Sequence, residues 1–264
     1  MKEAAARIIS TVGTEQELQF NAEQLRVKKY NASAGTLLYH NCDKCKNKGR
    51  IAYINSQGTF ALKQCECMTI RKSKEMLSKS GLTALVEKYT FNNYVTNEKW
   101  QESIKNAAKS YICDTFGNWF FIGGQVGAGK SHICTAIANE LLNNGKMVCY
   151  MLWRDDVVAL KANVNNYEQY EKRIKELKTV SVLYIDDFFK TERGKAPTPA
   201  DINIAFELLN YRYNNPELTT IISTELQIRD IISLDEAVGS RIYERSKKYQ
   251  ININADINKN YRLR

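Results

Sequence analysis

The chain reads as an α/β protein, a parallel sheet flanked by helices, preceded by a small helical and cysteine-bearing N-terminal domain. Three observations predict this. An apolar run, Trp119-Phe-Phe-Ile122, leads into Gly124-Gln125-Val126-Gly127-Ala128-Gly129-Lys130-Ser131, which fits the phosphate-binding pattern G-x-x-x-x-G-K-[ST] without a mismatch. A second run, Val180 to Ile185, has the unbroken apolar character of a strand buried on both faces and ends in Asp186 and Asp187. Ahead of both stand two cysteine pairs, Cys42 with Cys45 and Cys65 with Cys67.

Taken in order, residues 1–75 form the N-terminal region. Its first 40 residues are polar and helical in pattern, with Leu18, Ala22 and Leu25 on one helix face. Between the cysteine pairs, Arg50 to Lys63 reads as two short strands around the turn Asn55-Ser-Gln-Gly58. A lone hairpin of that size does not hold itself together in water. Four thiolates on one Zn²⁺ would supply the missing stability, about 10–16 kcal/mol in comparable sites, with disulfides the alternative in an oxidising compartment. Cys42, Cys45, Cys65 and Cys67 are therefore expected to form a closed, structural zinc knuckle over 42–67. Lys44, Lys46, Lys48, Arg50, Lys63, Arg71 and Lys72 surround it and suit both the charge of a Cys₄ site and nucleic acid. Residues 69–97 are a basic helix and then a linker, the linker taken as 76–97, and the core runs over 98–264.

Within the core, the phosphate-binding loop dictates chemistry. Its glycines let backbone N–H groups turn inward to phosphate oxygens, Lys130 carries charge to the β and γ phosphates, and the Ser131 hydroxyl is a Mg²⁺ ligand. Ile133, Ala136, Ile137 and Leu141 then repeat at helical spacing, so a nucleoside triphosphate would sit on a helix N-terminus. Asp186 would hold the Mg²⁺ through water, and Asp187 would orient or deprotonate the attacking water. Met147 to Leu152 and Leu218 to Ser223 read as two further parallel strands. The stripe Tyr167, Tyr170, Ile174, Leu177 is core rather than a stacking platform. Phe188 to Pro199 breaks every periodicity and is a loop, whose Lys190, Arg193 and Lys195 follow the carboxylates closely, as a DNA contact or a solvated surface. Cys113, Cys134 and Cys149 lie singly in apolar patterns as small buried hydrophobes.

The order of these motifs resembles the DnaC/DnaI-type helicase loaders of the AAA+ ATPases, including phage-encoded members. The resemblance spans roughly residues 40–250: the cysteine knuckle and basic helix, Ser80-Gly-Leu82, Thr90-Phe-Asn-Asn-Tyr94, the phosphate-binding loop with His132 after it, and Ile185-Asp-Asp187. It implies an ATPase, with ATP/ADP, Mg²⁺ and structural Zn²⁺ as ligands, whose hydrolysis is slow and stimulated by assembly or DNA. It further implies that Ser223 or Thr224, on the strand that ends before Glu225, reads the γ-phosphate where relatives often carry Asn. Arg241, in Val238-Gly-Ser-Arg241, resembles an arginine finger offered to a neighbouring subunit, with a surface ion pair as its alternative. The implied partners are a hexameric replicative helicase gripped through the N-terminal region, single-stranded DNA, and further copies of this chain through the AAA+ domains. An IstB-like transposition helper on duplex DNA and a non-catalytic zinc adaptor are the rival readings.

Composition bounds these expectations. Thirty-eight Lys and Arg against twenty-nine Asp and Glu leave a net charge of +9, which favours an anionic partner. No apolar run approaches the ~18 residues of a membrane span, and the N-terminus lacks the order of a signal peptide. The expectation is a soluble, cytoplasmic protein of a bacterial or phage-infected cell, with no membrane partner.

Overall fold

The computed structural model describes residues 2–79, 88–164, 166–192 and 195–263. Ser80-Gly-Leu82, most of the linker's first half and Arg193 lie outside them. The chain divides into two compact units, Met1–Lys74 and Glu75–Arg264.

In the first unit, helix α1 (Lys2–Ala32) packs on a hairpin of β1 (Arg50–Ile54) and β2 (Phe60–Gln64), paired antiparallel from Arg50↔Gln64 to Ile54↔Phe60. The turn forms where the sequence places it, because the Asn55 side-chain carbonyl accepts from the N–H groups of Gln57 and Thr59, both at 3.0 Å. The helix docks through hydrogen bonds and an aromatic contact, Tyr30 edge-on to Phe60 at 5.9 Å. Asn31 pairs both backbone groups of Ala52, at 2.9 and 3.0 Å, and Glu23 accepts from the Phe60 N–H at 3.0 Å. The stripe Leu18, Ala22, Leu25 faces away, with both leucines 67% exposed. Helix α2 (Cys67–Lys79) follows the second cysteine pair.

The second unit is a five-stranded sheet in the order β4-β5-β6-β3-β7, every pair parallel. Its strands are β3 (Phe120–Gly124), β4 (Val148–Leu152), β5 (Val182–Asp186), β6 (Thr219–Ser223) and β7 (Gln250–Ile253). Four of them coincide with the runs read from the sequence. The helices between are α3 (Lys99–Ile112), α4 (Lys130–Asn143), α5 (Trp153–Ala162), α6 (Tyr167–Thr179), α7 (Pro199–Tyr213), α8 (Ile228–Leu234) and α9 (Glu236–Ser246). This is the expected α/β class with a parallel sheet flanked by helices. Such a strand is buried on both faces and so reads as continuously apolar; β3, β5 and β6 are buried throughout.

Helix α4 turns Ile133, Ala136, Ile137 and Leu141 inward, none more than 2% exposed. In α6, Ile174 and Leu177 are fully buried, while Tyr170 is half-buried and donates to Glu207 at 2.6 Å, and Tyr167 faces out. The stripe is thus core at three of its four positions. A charged residue also lies in this core: Arg212 of α7 is fully buried and donates to the carbonyls of Leu177, Lys178, Val180 and Thr219 and to the Thr220 hydroxyl, at 2.6–3.0 Å. It ties the end of α6 to the starts of β5 and β6. Cys134 and Cys149 are buried as expected, whereas Cys113 is exposed. The apolar pattern around it belongs to α3, which ends one residue earlier and leaves Cys113 as its cap.

Candidate nucleotide site and cysteine cluster

The site begins at the carboxyl end of β3. The chain leaves the strand, turns through Gln125 to Gly129 and enters α4 at Lys130. Gly129 caps the helix at φ 83°, a left-handed conformation that a side chain would strain. Gly127 must also lack a side chain, because a Cβ there would stand 1.9 Å from the Asn260 side-chain oxygen. The loop is braced from the far end of the chain: the Tyr261 N–H donates to the Gly127 carbonyl at 3.0 Å, the Gln125 N–H donates to the Ile253 carbonyl at 3.0 Å, and the Asp256 N–H donates to the Gln125 side chain at 2.8 Å.

A cleft of about 320 Å³ opens over this loop. Val126, Gly127, Gly129, Lys130, Ser131 and His132 form its floor, and Asp187, Lys190 and Glu225 one wall. Ala128 is buried beneath. Lys130 is 8% exposed and donates to the carbonyls of Gly124 and Gln125 at 2.8 and 2.7 Å, so its ammonium is held over the loop. Burial lowers its pKa, an effect that the nearby Glu225, Asp187 and Asp186 carboxylates oppose.

Behind the loop, the Ser131 hydroxyl donates to Asp186 Oδ1 at 3.0 Å. Asp186 is 7% exposed and also receives bonds from the Tyr150 hydroxyl at 3.2 Å and from the Ser223 hydroxyl. A hydroxyl and a fixed carboxylate side by side at a helix N-terminus are hard oxygen donors, and that donor set fits Mg²⁺. Asp187 follows in a left-handed conformation, φ 52°, which carries its carboxylate out to the cleft.

Lys130, Ser131, Asp186 and Asp187 thus converge. Ser223 and Thr224 do not reach the cleft wall. Both are 1% exposed, Ser223 behind Asp186 and Thr224 donating to the Phe188 carbonyl at 2.7 Å. Arg241 lies on α9, donating to Asn210 at 3.0 Å and to the Ala237 carbonyl at 2.7 Å, with its guanidinium 4.9 Å from the Phe206 ring centre. It makes no contact with the loop of its own chain.

Several lining residues escaped the sequence reading. Tyr89 stacks on His132 at 4.8 Å, Tyr94 meets it edge-on at 5.1 Å, and the Thr90 carbonyl lies 2.9 Å from its Nε2. His132 therefore anchors the Thr90–Tyr94 segment to the head of α4, and burial lowers its pKa. The family resemblance picked out Thr90–Tyr94 without saying what it touches. Tyr261 and Arg262 line the cleft from the far end of the chain and carried no sequence signal.

In the first unit, the Sγ atoms of Cys42, Cys45, Cys65 and Cys67 all lie within 4.8 Å of one another, and all four residues are buried. The Cys42–Cys65 and Cys45–Cys67 separations are 3.8 and 3.5 Å. Disulfide sulfurs stand ~2.05 Å apart. Tetrahedral ligands on ~2.3 Å bonds stand ~3.8 Å apart, so the cluster has the dimensions of a zinc site. Burial pushes the Cys67 thiol up to about 12. At Cys45 burial acts the same way but is outweighed by the Gly49 N–H and the neighbouring thiols, which hold it at about 6. The surrounding basic charge is partly spent: Lys44 pairs with Glu66 at 2.7 Å, Lys46 and Lys48 donate to carbonyls at the end of α1, and Arg71 is buried against Leu37 and Asn47.

No helix among the described residues is long and apolar enough to cross a membrane. Comparison with known proteins gives the chain its family. Residues 62–264 match the family described as IstB-like ATP binding protein. The chain is 36% identical over 213 residues to an uncharacterized protein, YqaM, of Bacillus subtilis, covering 76% of this chain and 66% of that one. It is 33% identical over 223 residues to the phage-like element PBSX protein XkdC of the same organism, covering 80% and 82%. It is 31% identical over 119 residues to the replicative helicase loader DnaC of Escherichia coli, covering 44% of this chain and about half, 49%, of that protein. A crystal structure of the DnaC helicase loader shares the fold, with a TM-score of 0.54 at 20% identity over 65% of this chain and 98% of that one. The chain belongs to the IstB-like ATP-binding family, on the α/β fold that it shares with DnaC and its AAA+ neighbours.

Proposed function

We propose that the protein is an ATP-dependent loader that binds a hexameric replicative helicase and delivers it onto single-stranded DNA, its nucleotide state switching grip and release. The observation that carries the reading is the convergence of Lys130, Ser131, Asp186 and Asp187 on one cleft in a chain related to a replicative helicase loader.

In that reading a triphosphate lies along the loop, its phosphates against the N–H groups at the head of α4. Lys130 offsets charge on the β and γ phosphates. Mg²⁺ held by Ser131 and, through water, Asp186 would add Lewis acidity at the same oxygens. Water attacks the γ-phosphorus: its oxygen–phosphorus bond forms as the bond to the bridging oxygen breaks, ADP leaves with the electron pair, and Asp187 accepts the water's proton. Arg241, on an outer helix, is offered to the cleft of a neighbouring copy, which makes hydrolysis slow until copies assemble. Zn²⁺ on the four cysteines holds the hairpin, and the outward stripe Leu18, Ala22, Leu25 supports a role for α1 in gripping the helicase. Residues 1–75 would then be the helicase-binding domain, 76–97 the linker and 98–264 the ATPase domain of a cytoplasmic protein.

A pull-down with the cognate helicase, scored with and without ATP, tests the reading. ATP-sensitive capture that is lost with residues 1–70 is expected. Failure to bind the helicase, together with ATP-dependent filaments on duplex DNA, would favour the transposition-helper reading that the family description also accommodates. DNA-stimulated hydrolysis that is lost in Lys130→Ala would exclude the non-catalytic zinc adaptor, and a chain with no hydrolysis of its own would favour it over both.

A further inference from the structure

At the end of β6 the chain presents three polar side chains in a row, Ser223, Thr224 and Glu225, and only the third reaches the cleft. The Ser223 hydroxyl is committed to Asp186, and the Thr224 hydroxyl donates to the Phe188 carbonyl while accepting from the Leu226 N–H at 3.1 Å. Glu225 lines the cleft but does not stand alone there. Lys190 Nζ lies 2.8 Å from Glu225 Oε1 and 3.1 Å from Asp187 Oδ2, and it too lines the cleft. One ammonium therefore bridges the carboxylate of the proposed base and a second carboxylate 35 positions along the chain.

The backbone that carries this ammonium is held in an uncommon shape. Asp187 and Phe189 both have positive φ, 52° and 58°, and neither is glycine. Buried rings hold them there: Phe188 and Phe189 stack at 4.1 Å, and each meets Trp153 edge-on, at 4.7 and 5.4 Å. Two strained residues in the three positions before Lys190, one of them Asp187 itself, point to a functional constraint. The rings fix the turn, and the flexible four-carbon stem of Lys190 remains the adjustable part, 36% exposed.

Charge indicates what the adjustment answers to. Lys130 and Lys190 face Asp186, Asp187 and Glu225, so these five side chains sum to −1, and Arg262, which also lines the cleft, brings the total to zero before any nucleotide enters. Lys130 already donates to neutral carbonyls, whereas Lys190 donates to carboxylates. A terminal phosphate arriving beside Asp187 would set two anions against each other, and the nearest cation that can move between them is the Lys190 ammonium. We propose that Lys190, tethered by Glu225, reads the terminal phosphate of a bound nucleoside triphosphate: its ammonium leaves Asp187 for a γ-phosphate oxygen and frees Asp187 for water, then closes back on Asp187 when a diphosphate remains. The exchange makes and breaks only ion pairs. It rests on the ATP-binding reading above and moves the phosphate-reading role from Ser223 and Thr224 to Lys190.

The test uses the full chain with Mg²⁺ and measures the affinities of β,γ-methylene ATP and ADP, with Lys130→Ala as control. Lys190→Gln should weaken the triphosphate analogue about 10-fold or more, as loss of one charge-assisted bond implies, and leave ADP within about twofold. Lys190→Arg should restore most of the triphosphate preference. Glu225→Gln, which frees the tether, should reduce the preference by about threefold and raise KM for ATP more than it lowers kcat. Equal effects on both nucleotides, or none, in Lys190→Gln and Glu225→Gln would overturn the inference while Lys130→Ala still abolishes binding. A wild-type chain that binds neither nucleotide would overturn the ATP reading along with it.

Discussion

The two units of this chain are held together by different physics. In Glu75–Arg264 a continuous apolar cluster runs from Trp119 and Phe121 through Ile185 and Phe188 to Val238 and Ile242, and hydrophobic burial supplies the cohesion. In Met1–Lys74 the buried cluster is Cys42, Cys45, Cys65 and Cys67 with Ile51 against it, and α1 docks by hydrogen bonds and a ring contact. The lesson is that one unit carries its stability in its packing, while the other gathers four thiols at the spacing of a metal's ligands. Small domains often need such a staple because their surface-to-volume ratio limits what a core can do.

The largest expected effect separates the units outright. Chelation of the metal, or Cys45→Ser combined with Cys67→Ser, should unfold residues 1–74 and expose them to protease, on the scale of the ~10–16 kcal/mol that structural zinc contributes. All three tryptophans, Trp100, Trp119 and Trp153, lie in the second unit, so their fluorescence should not change. A tryptophan shift in step with proteolysis would mean that the units depend on one another. Less than half an equivalent of zinc in the purified protein would remove the staple from the comparison.

Next in size is the reverse experiment. Arg212→Met fills much of the same volume but leaves the carbonyls of Leu177, Lys178, Val180 and Thr219 without their shared donor. The second unit should lose on the order of 3 to 5 kcal/mol in urea unfolding followed by tryptophan fluorescence. Zinc content should be unchanged. A loss under 1 kcal/mol would show that water or other donors replace the guanidinium.

Asp187→Asn sharpens the comparison differently, by touching function without touching either core. Hydrolysis should fall about 10²- to 10³-fold with both unfolding transitions within error, while ATP affinity should hold or rise, since the Lys190 ammonium no longer has to leave a carboxylate to meet the γ-phosphate. Wild-type turnover in this variant would remove Asp187 from the chemistry.

The smallest effect concerns pH. Burial holds the His132 pKa below its ordinary 6.5, so the folded state resists protonation that the unfolded chain accepts. The stability involved is fully present above pH ~6.5 and is lost as pH falls through the lower, folded value. Between pH 7.5 and 5.5 the second unit should lose more melting temperature in the wild type than in His132→Gln. Equal losses would mean that the ring is not the titrating group.

What was legible in the sequence follows the same division of physics. The phosphate-binding loop was readable because backbone geometry demands glycine at fixed positions, and the cysteine cluster because close pairs bring four thiols together. The strands β3 to β6 were readable because burial on both faces selects short runs of apolar and β-branched residues, including the threonines of β6. Strand β7 was not, since its alternation lasts only four residues, and the Asn and Asp residues that follow mark turns without saying that they return to the loop. Cys113 misled because an apolar pattern does not say where its helix stops. Side-chain direction was the hardest to read: nothing local tells that Ser223 and Thr224 turn inward while Glu225 turns to the cleft, nor that its partner is Lys190. That pairing exists only once β5 and β6 lie side by side.

The brace on the phosphate-binding loop has a consequence in time. Gly127 and Gln125 are held by groups on Tyr261, Ile253 and Asp256, and β3 is flanked by β6 and β7, all made much later than the loop itself. The ~130 residues between Gly129 and Tyr261 take roughly 7 to 26 seconds to translate at about 5–20 residues per second. During that interval the nascent chain carries every residue of the loop and none of its supports. Affinity for nucleotide is then among the last properties the polypeptide acquires, and a ribosome stalled before residue 250 would carry a chain with a complete motif and no working site.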